Sequence, residues 1–305
     1  MPRRWTHAAL VLIAVLVTAH LIHRGWALWG NDPPPLNITP PPLVDGAMQS
    51  MQSIPGGVFT MGRAGHGPGA QRVELAPFQM DATEVTNRQF AEFVQTTGYV
   101  TVAEQRQWSL VFDRPTGRWR KMAGADWRHP GGPDSTIVGR DALPVVHVSW
   151  HDASAFAAWA EKSLPTEAQF EFAARGGVHD RDYPWGQDVA QSTKFANTWQ
   201  GAFPDADQEL DGASGLAAVG EYSPNPFGLY DIVGNVREWC AAPTAARSEP
   251  GLRGGSWVST AEGGTLFVWA RQTAPAKFTD NRTGFRCVKK GEFGMTNDEG
   301  LMTKE

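Results

Sequence analysis

The segment FGLYDIVGNVREW, Phe227–Trp239, shows how the second half of this chain is built. Short apolar pieces stand between turn residues such as Gly228 and Gly234, and no helical period runs through them. Ordered loops and short strands are therefore predicted here instead of helices. Taken alone, Asp231 and Glu238 are ordinary acidic turn residues.

The composition agrees with a globular domain that is rich in turns. The 305 residues are 41% hydrophobic and 19% charged, which permits a buried core. The chain contains 33 Gly, 22 Pro and 13 Trp, which predicts many turns held together by large aromatic rings. The net charge of -5 and the pI near 5.9 argue against non-specific binding of nucleic acid.

Strands and helices are predicted in the first half of the body, so the fold class is α+β. Ile54–Gly62 and Val73–Met80 read as strands, and Pro77 indicates an edge or a bulge in the second. Capping boxes predict three helices. They open at Thr86-Asn87-Arg88-Gln89, Ser149-Trp150-His151-Asp152 and Thr166-Glu167-Ala168-Gln169, and end at Gly98, about Lys162 and Gly176-Gly177.

The amino terminus is typical of a targeting segment. Arg3 and Arg4 precede an apolar run from Ala8 to Ala19, a charge pattern that predicts export of the body. The run is long for a signal-peptide core and short for a membrane span, so a cleaved signal and an anchor both stay open. The predicted organisation is a signal peptide or anchor over residues 1–30, a Pro-rich linker over 31–50, a domain over 51–290 and a tail over 291–305. We expect an exported protein, periplasmic if bacterial, that meets a membrane only through its N-terminal segment.

Nine segments of the body match the formylglycine-generating enzyme family, the sulfatase-modifying factors, in order. They are Ile54–Gly62, Met80–Phe93, Trp127–Pro133, Pro144–Trp150, Leu164–Glu171, Tyr183–Gly186, Phe227–Trp239, Arg253–Trp257 and Gly284–Cys287. The resemblance implies a variant of the C-type-lectin fold with little regular secondary structure, built from a short sheet and two or three helices. It also implies a groove for a peptide-like or protein partner.

The resemblance implies two structural calcium ions held by oxygen atoms, as a hard cation requires. The residues at the first site would be Asn197, Thr198, Asp211 and Ala213. Those at the second site would be Asp231, Gly234, Val236 and Glu238. All four side-chain ligands carry suitable oxygens, and the ions would hold together loops that lack secondary structure.

The family's reactive loop differs in this chain. Family members oxidise a substrate cysteine with oxygen and a copper ion held by two cysteines, because soft thiolates suit copper(I). Those positions here are Ser259 and Gly264, so copper and formylglycine synthesis by that mechanism are not expected. Gly263-Gly264 indicates a flexible loop. By position, Ser256, Trp257 and Ser259 would line the partner groove.

The remaining candidates for chemistry are two cysteines and several histidines. Cys240 and Cys287 form either a disulfide, which export permits, or two small buried core residues. Another metal centre would draw on His66, His129, His147 and His151, with Glu262 on the loop. Satisfied structural histidines are the simpler interpretation, because a helix cap at Ser149 separates His147 from His151.

Two functions therefore stay open. In the first, the chain is an accessory or maturation factor, similar to the cysteine-less periplasmic family members linked to pyoverdine maturation or to copper nitrite reductase. Any reaction would then be that of an oxidoreductase with a different active centre. In the second, the chain is a non-catalytic module that binds a peptide or protein, because fold alone does not decide function.

Overall fold

The computed structural model describes residues 50–178, 180–242 and 249–291, all of which belong to one compact unit. The predicted signal or anchor, nearly all of the Pro-rich linker and the tail beyond residue 291 lie outside the described residues. Within this part of the chain, no helix has the length and apolarity needed to cross a membrane.

The described structure is α+β with short elements, as predicted. The strands are β1 Met51–Ile54, β2 Gly57–Arg63, β3 His66–Leu75, β4 Phe78–Asp81, β5 Trp108–Asp113, β6 Arg118–Ala123, β7 Arg237–Trp239, β8 Gly251–Arg253, β9 Gln272–Thr273, β10 Thr283–Gly284 and β11 Val288–Lys290. The α-helices are α1 Asn87–Thr97, α2 Val102–Arg106, α3 Trp150–Trp159, α4 Glu167–Arg175 and α5 Ser192–Phe195.

The strands form two small sheets and two hairpins. One sheet has the order β1-β4-β11 and is antiparallel. The other has the order β10-β7-β8-β9, in which β10 and β7 are parallel. The pairs β2-β3 and β5-β6 are separate antiparallel hairpins. Long ordered loops connect these pieces, which agrees with the predicted scarcity of regular structure.

The capping boxes correctly locate the three longer helices. The three N-caps are Thr86, Ser149 and Thr166. At each, the side chain accepts from the backbone N–H of the third helical residue, and the side chain of that residue accepts from the N-cap backbone N–H. Helices α1 and α4 end at Gly98 and Gly176, both left-handed, as predicted.

Three boundaries differ from the prediction. The strand predicted over Ile54–Gly62 splits into β1 and β2, because the left-handed Gly56 (φ +69°) turns the chain between them. The strand predicted over Val73–Met80 breaks between β3 and β4 at Pro77, which has no N–H to offer a ladder. Helix α3 ends at Trp159 instead of Lys162, and Glu161 there adopts a left-handed backbone (φ +55°).

Aromatic side chains dominate the largest core. Phe90 and Phe93 of α1 pack against Phe156 of α3 with ring centroids 6.0 Å and 5.7 Å apart. Trp239 of β7 and Phe285 beside β10 are fully buried in the same cluster. This core fixes α1 and α3 against the four-stranded sheet, from which the loop of interest emerges.

Candidate functional site

The loop after β8 opens with a tight turn that requires glycine. Gly254 and Gly255 have φ angles of +90° and +69°. A Cβ atom on Gly255 would lie 2.9 Å from Leu266 Cδ2 and 3.1 Å from the hydroxyl oxygen of Ser259. The backbone therefore packs closely on later residues of its own loop, which leaves no room for a larger residue.

Ser259 uses its hydroxyl group inside the loop. The Ser256 N–H donates to Ser259 Oγ at 3.0 Å, and the Ser259 N–H donates to the Ser256 carbonyl at 2.7 Å. The Trp199 N–H donates to the Ser259 carbonyl at 2.9 Å. The Ser256 hydroxyl oxygen is buried and has no hydrogen-bond partner among the described residues. Ser259 thus stabilises a turn.

The segment between Ser259 and Gly264 is a defined turn, whereas its two glycines suggested flexibility. Ala261–Gly263 form a 3-10 turn, and the Gly263 N–H donates to Thr260 Oγ1 at 3.1 Å. Gly264 closes the turn with φ +70°. A Cβ atom at Gly264 would lie 3.6 Å from Phe267, so there is space for it, but the backbone conformation strains any L side chain.

A cavity of about 600 Å³ lies beside this loop. Of the three predicted groove residues, Trp257 lines the cavity, whereas Ser256 and Ser259 are buried in the loop and do not. Phe112 of β5 lies opposite in the same aromatic cluster, with its ring centroid 5.8 Å from that of Trp257. Leu143 adds a further apolar wall. A cavity therefore lies beside the loop, and Trp257 is the one predicted groove residue that lines it.

Basic side chains give the cavity its charge. Arg114 is held by Asp207 and Glu209 at 3.1 Å and 3.0 Å, and Arg120 pairs with Asp113. Arg140 also lines the cavity, is exposed, and has no side-chain partner among the described residues. Sequence reasoning missed this residue, because no motif marks an unpaired arginine on a loop.

His147 is a satisfied structural histidine, as expected. Its Nδ1 lies 2.7 Å from Ser109 Oγ, and its Nε2 lies 2.9 Å from the Pro130 carbonyl oxygen. The side chain is fully buried, and burial lowers the pKa of His147 to about 4, so the ring is neutral at pH 7. Both ring nitrogens are therefore engaged within the protein.

The second predicted calcium site is a buried group of acids. Asp231 adopts a left-handed backbone with φ +52°, and its Oδ2 accepts from the Gly220 N–H at 2.7 Å. Its Oδ1 is buried and finds no hydrogen-bond partner among the described residues. Glu238 is fully buried, and both its oxygens accept from Arg286 at 2.8–3.0 Å.

Glu84 joins this group, although sequence reasoning did not select it. It is fully buried, and the Val236 N–H donates to its Oε1 at 3.4 Å. Burial and the charge of Asp231 raise the pKa of Glu84 well above its ordinary value. Glu84, Asp231 and Glu238 thus place three carboxylates beside the single guanidinium of Arg286. When all three are ionised, two negative charges are left over, which matches one divalent cation.

The first predicted calcium site also gathers oxygens. Asp211 accepts from the Thr198 N–H at 2.7 Å and from the Ala213 N–H at 3.0 Å. The Gln200 side-chain nitrogen lies 2.6 Å from both the Thr198 carbonyl oxygen and Asp211 Oδ2. These two oxygens therefore converge on one point, which the Gln200 amide donor occupies.

Two hydrogen bonds and a close approach connect the predicted sites. The Asn197 amide donates to Asn235 Oδ1 at 3.0 Å, and the Asn235 N–H donates to the Asn197 carbonyl at 2.9 Å. A Cβ atom on Gly234 would lie 2.6 Å from the Asn197 carbonyl oxygen. Within the described residues, no three His, Cys, Asp or Glu side chains are grouped closely enough to form a metal site alone. A cation at either site would therefore need carbonyl and amide oxygens as well.

Cys240 and Cys287 are both free and fully buried. They belong to different core clusters, Cys287 with Phe90 and Cys240 with Phe170. Burial raises the pKa of each thiol, which keeps both protonated at neutral pH. The sequence left open a disulfide or two buried core residues, and in the structure Cys240 and Cys287 are two separate core residues.

Comparison with known proteins gives consistent family matches. The model of the sulfatase-modifying factor enzyme 1-like domain matches residues 40–291. A formylglycine-generating enzyme of Thermomonospora curvata is 45% identical over 216 residues, which cover 63% of this chain and 71% of that protein. The inactive C-alpha-formylglycine-generating enzyme 2 of Mus musculus is 42% identical over 267 residues, which cover 78% of this chain and 85% of that protein.

Solved structures show the same fold. PvdO from Pseudomonas aeruginosa superposes with a TM-score of 0.62 at 24% identity, covering 80% of this chain and 95% of that one. CarF superposes with a TM-score of 0.51 at 22% identity, covering 81% of this chain and all of that one. At these identities the superpositions support the fold, and the function has to be argued from the site.

Proposed function

This chain belongs to the sulfatase-modifying factor family, and we propose that it is an exported accessory or maturation factor for a peptide-like or protein partner. An extended segment of the partner would lie in the groove beside Trp257. The observation behind the proposal is that a cavity lined by Trp257 lies beside a loop that contains no cysteine. Ser259 and Gly264 stand where the family resemblance implies the copper-binding cysteines.

The chemistry of the loop argues against a copper(I) centre at these positions. A serine hydroxyl is a hard oxygen donor, and Ser259 Oγ already accepts the Ser256 N–H. Gly264 has no side chain to offer. The relatives include both active enzymes and proteins named as inactive, so this chain can retain the family scaffold without the family reaction.

The groove favours a partner segment with apolar side chains and a carboxylate. Phe112, Leu143 and Trp257 supply apolar walls. Arg114 and Arg120 are neutralised by their own acidic neighbours, which leaves Arg140 as an exposed donor without a side-chain partner among the described residues. A guanidinium group binds carboxylates through paired hydrogen bonds, so an acidic partner residue beside Arg140 is the expected match.

A peptide array tests this partner chemistry. The full chain is incubated with short synthetic peptides that each carry Asp or Glu, together with amide twins that carry Asn or Gln. We expect the acidic member of a pair to bind more tightly, and Arg140→Glu to abolish that preference. Lys290→Glu, a control with the same change of charge at an exposed position on β11, should retain it. Equal binding of both twins, or no binding of any peptide, contradicts the proposal.

We also propose that calcium stabilises the loops of this domain. The buried, unpartnered Asp231 Oδ1 and the excess of carboxylates over Arg286 support a cation at the second site, held by Asp231, Glu84 and Glu238 with the carbonyls of Gly234 and Val236. At the first site, the convergence of Thr198 and Asp211 oxygens supports a cation in place of the Gln200 amide donor. Bound calcium would neutralise these acids and join the loops.

A non-catalytic binding module is the second candidate function. It is supported by the internal use of the Ser259 hydroxyl and by the engaged ring of His147, which leave neither group available as a base or nucleophile. Oxygen uptake in the presence of a bound array peptide separates the two candidates. Peptide-dependent uptake supports a maturation enzyme, whereas binding without uptake supports the module.

A further inference from the structure

A second cavity, of about 320 Å³, shares no lining residue with the peptide groove. The β2-β3 hairpin forms one side through Met61, Arg63 and His66. Helix α4 and the segment from β8 to β9 form the other side through Glu167, Arg253 and Trp269, and Glu171 and Arg271 complete that side. This volume is at the small end of the range for ligand pockets.

The charges that line this cavity do not balance. Arg63, Arg253 and Arg271 contribute three guanidinium groups, whereas Glu167 and Glu171 contribute two carboxylates. The residues directly behind the wall preserve the difference, because Arg63 pairs with Asp182 while Arg175 pairs with Glu171. One positive charge is therefore in excess around the cavity, which favours an anionic ligand.

Two of the arginines keep donors unused. The Arg253 side chain is 2% exposed, and its Nε and Nη1 donate to Glu167 and Glu171 at 3.3 Å and 3.0 Å. Its Nη2 has no acceptor among the described residues. Arg271 donates to Glu167 through Nε alone, at 2.7 Å and 3.0 Å, so its two terminal nitrogens likewise lack an acceptor in this part of the chain. Glu167 holds both guanidinium groups in place while their outer donors remain available.

An apolar wall accompanies these donors. Trp269 is fixed by its Nε1–H, which donates to Asp182 at 3.1 Å, by Phe267, whose ring is stacked at 4.6 Å, and by His66, whose ring lies 4.8 Å away. Met61 lines the same cavity. A bare inorganic anion would leave this wall facing water, whereas a ligand with an apolar body would cover it.

We propose that this cavity binds a small organic carboxylate. The carboxylate would accept from Arg253 and Arg271, and the apolar body would lie against Trp269 and Met61. The pairing of Arg271 with a carboxylate follows the usual bidentate geometry of guanidinium groups. The residues of this site lie apart from the peptide groove, so the site is independent of the proposed function.

Calorimetric titration of the full chain with three simple probes tests the proposal. Benzoate carries both a carboxylate and a ring, benzamide keeps the ring without the charge, and acetate keeps the charge without the ring. We expect benzoate to bind at least about tenfold more tightly than either of the others, because each of those loses one of the two contacts. Equal affinities for benzoate and benzamide, or no measurable binding of benzoate, would overturn the proposal.

A matched pair of variants assigns the site. Arg271→Gln removes a partly exposed donor and should weaken benzoate by about tenfold. Arg88→Gln removes one positive charge from the exposed face of α1 and should leave benzoate affinity unchanged. An equal loss in both variants would show a non-specific charge effect, and no loss in Arg271→Gln would place the ligand elsewhere. A thermal melt of each variant, with an unchanged midpoint, shows that the fold is intact.

Discussion

The acid group around Asp231 and the loop from Ser256 to Gly264 differ in how far their buried polar groups are satisfied within the protein. The acid group places three buried carboxyl groups beside the single guanidinium of Arg286, and Asp231 Oδ1 has no hydrogen-bond partner among the described residues. In the loop, most polar atoms are bonded within the loop or to its neighbours, as Ser259 shows. The first region is therefore the place where the proposed calcium ion would bind, whereas most polar atoms of the second region are already bonded within the protein.

Removal of Glu238 should cause the largest effect. Glu238→Ala leaves the Arg286 guanidinium fully buried without the carboxylate that holds it. Removing one partner of a buried, hydrogen-bonded ion pair costs about 3–5 kcal/mol, and because Glu84 and Asp231 remain beside Arg286 we expect a loss near the lower end of that range in the free energy of unfolding, measured by urea titration. A loss below about 1 kcal/mol would show that the charge balance of this region has been misjudged.

The next largest effect should be the contribution of His147, which lies outside both regions, to the pH dependence of stability. Its folded pKa of about 4 lies below the unfolded value of about 6.5, so the unfolded chain binds the extra proton between these pH values. The stability that neutral His147 contributes is therefore full above pH 6.5 and falls by about 3 kcal/mol as the pH drops to 4, whereas Asp152 and Asp231, whose pKa values burial raises to about 6, act in the opposite direction.

Urea titrations between pH 7 and pH 4 measure this loss. His147→Asn tolerates the left-handed backbone (φ +60°) and should lack this loss, so its stability relative to that of the parent chain should rise as the pH falls from 7 to 4. Asp280, Asp126 and Arg106 act on the His147 ring more weakly than burial does. An unchanged slope in the variant would assign the pH dependence to other groups.

Calcium should separate the two regions directly. At a free concentration 100 times its Kd, a bound ion stabilises the folded state by about 2.7 kcal/mol, so the melting temperature of the full chain should rise with calcium and fall with chelator. Asp231→Ala should lower stability in calcium and remove the second site's share of this response, whereas Ser259→Ala should keep the full response. A melting temperature that changes with neither calcium nor chelator would contradict the proposed sites.

The smallest effects should come from the loop. Ser259→Ala removes the acceptor of the buried Ser256 N–H and should cost about 1 kcal/mol. Ser259→Cys keeps an acceptor, although a weaker one, and should cost less. Chemical denaturation of the two variants beside the parent chain measures the difference. A cost above about 3 kcal/mol would mean that the loop has a larger structural role than its hydrogen bonds indicate.

Local signals made part of this fold predictable. The three longer helices begin where a Ser or Thr meets a Gln or Asp three residues later, because both halves of a capping box are close in sequence. Helix α2 carries the same signal at Thr101 and Glu104, so it too was open to prediction. Its five residues show no apolar period, which is the other cue for a helix.

The groove and the acid group were only partly predictable, because distant segments assemble them. Glu84 precedes α1, whereas Asp231 lies far along the chain, and no spacing relates them. No sequence spacing marks Arg140 as a residue that lines the groove. Nor does any spacing mark Gln200, whose side-chain amide donates to Asp211 at the first predicted calcium site. Trp257 was predictable because the family resemblance covers its segment.

Mass spectrometry of a cysteine-containing sulfatase-motif peptide tests the central claim most directly. The full chain is incubated with the peptide, copper and oxygen. The double variant Ser259→Cys/Gly264→Cys is treated in the same way as a second sample. For the natural chain, we expect no conversion of the peptide cysteine to the aldehyde. Conversion of that cysteine to the aldehyde by the natural chain would contradict the claim that the loop has lost the family reaction.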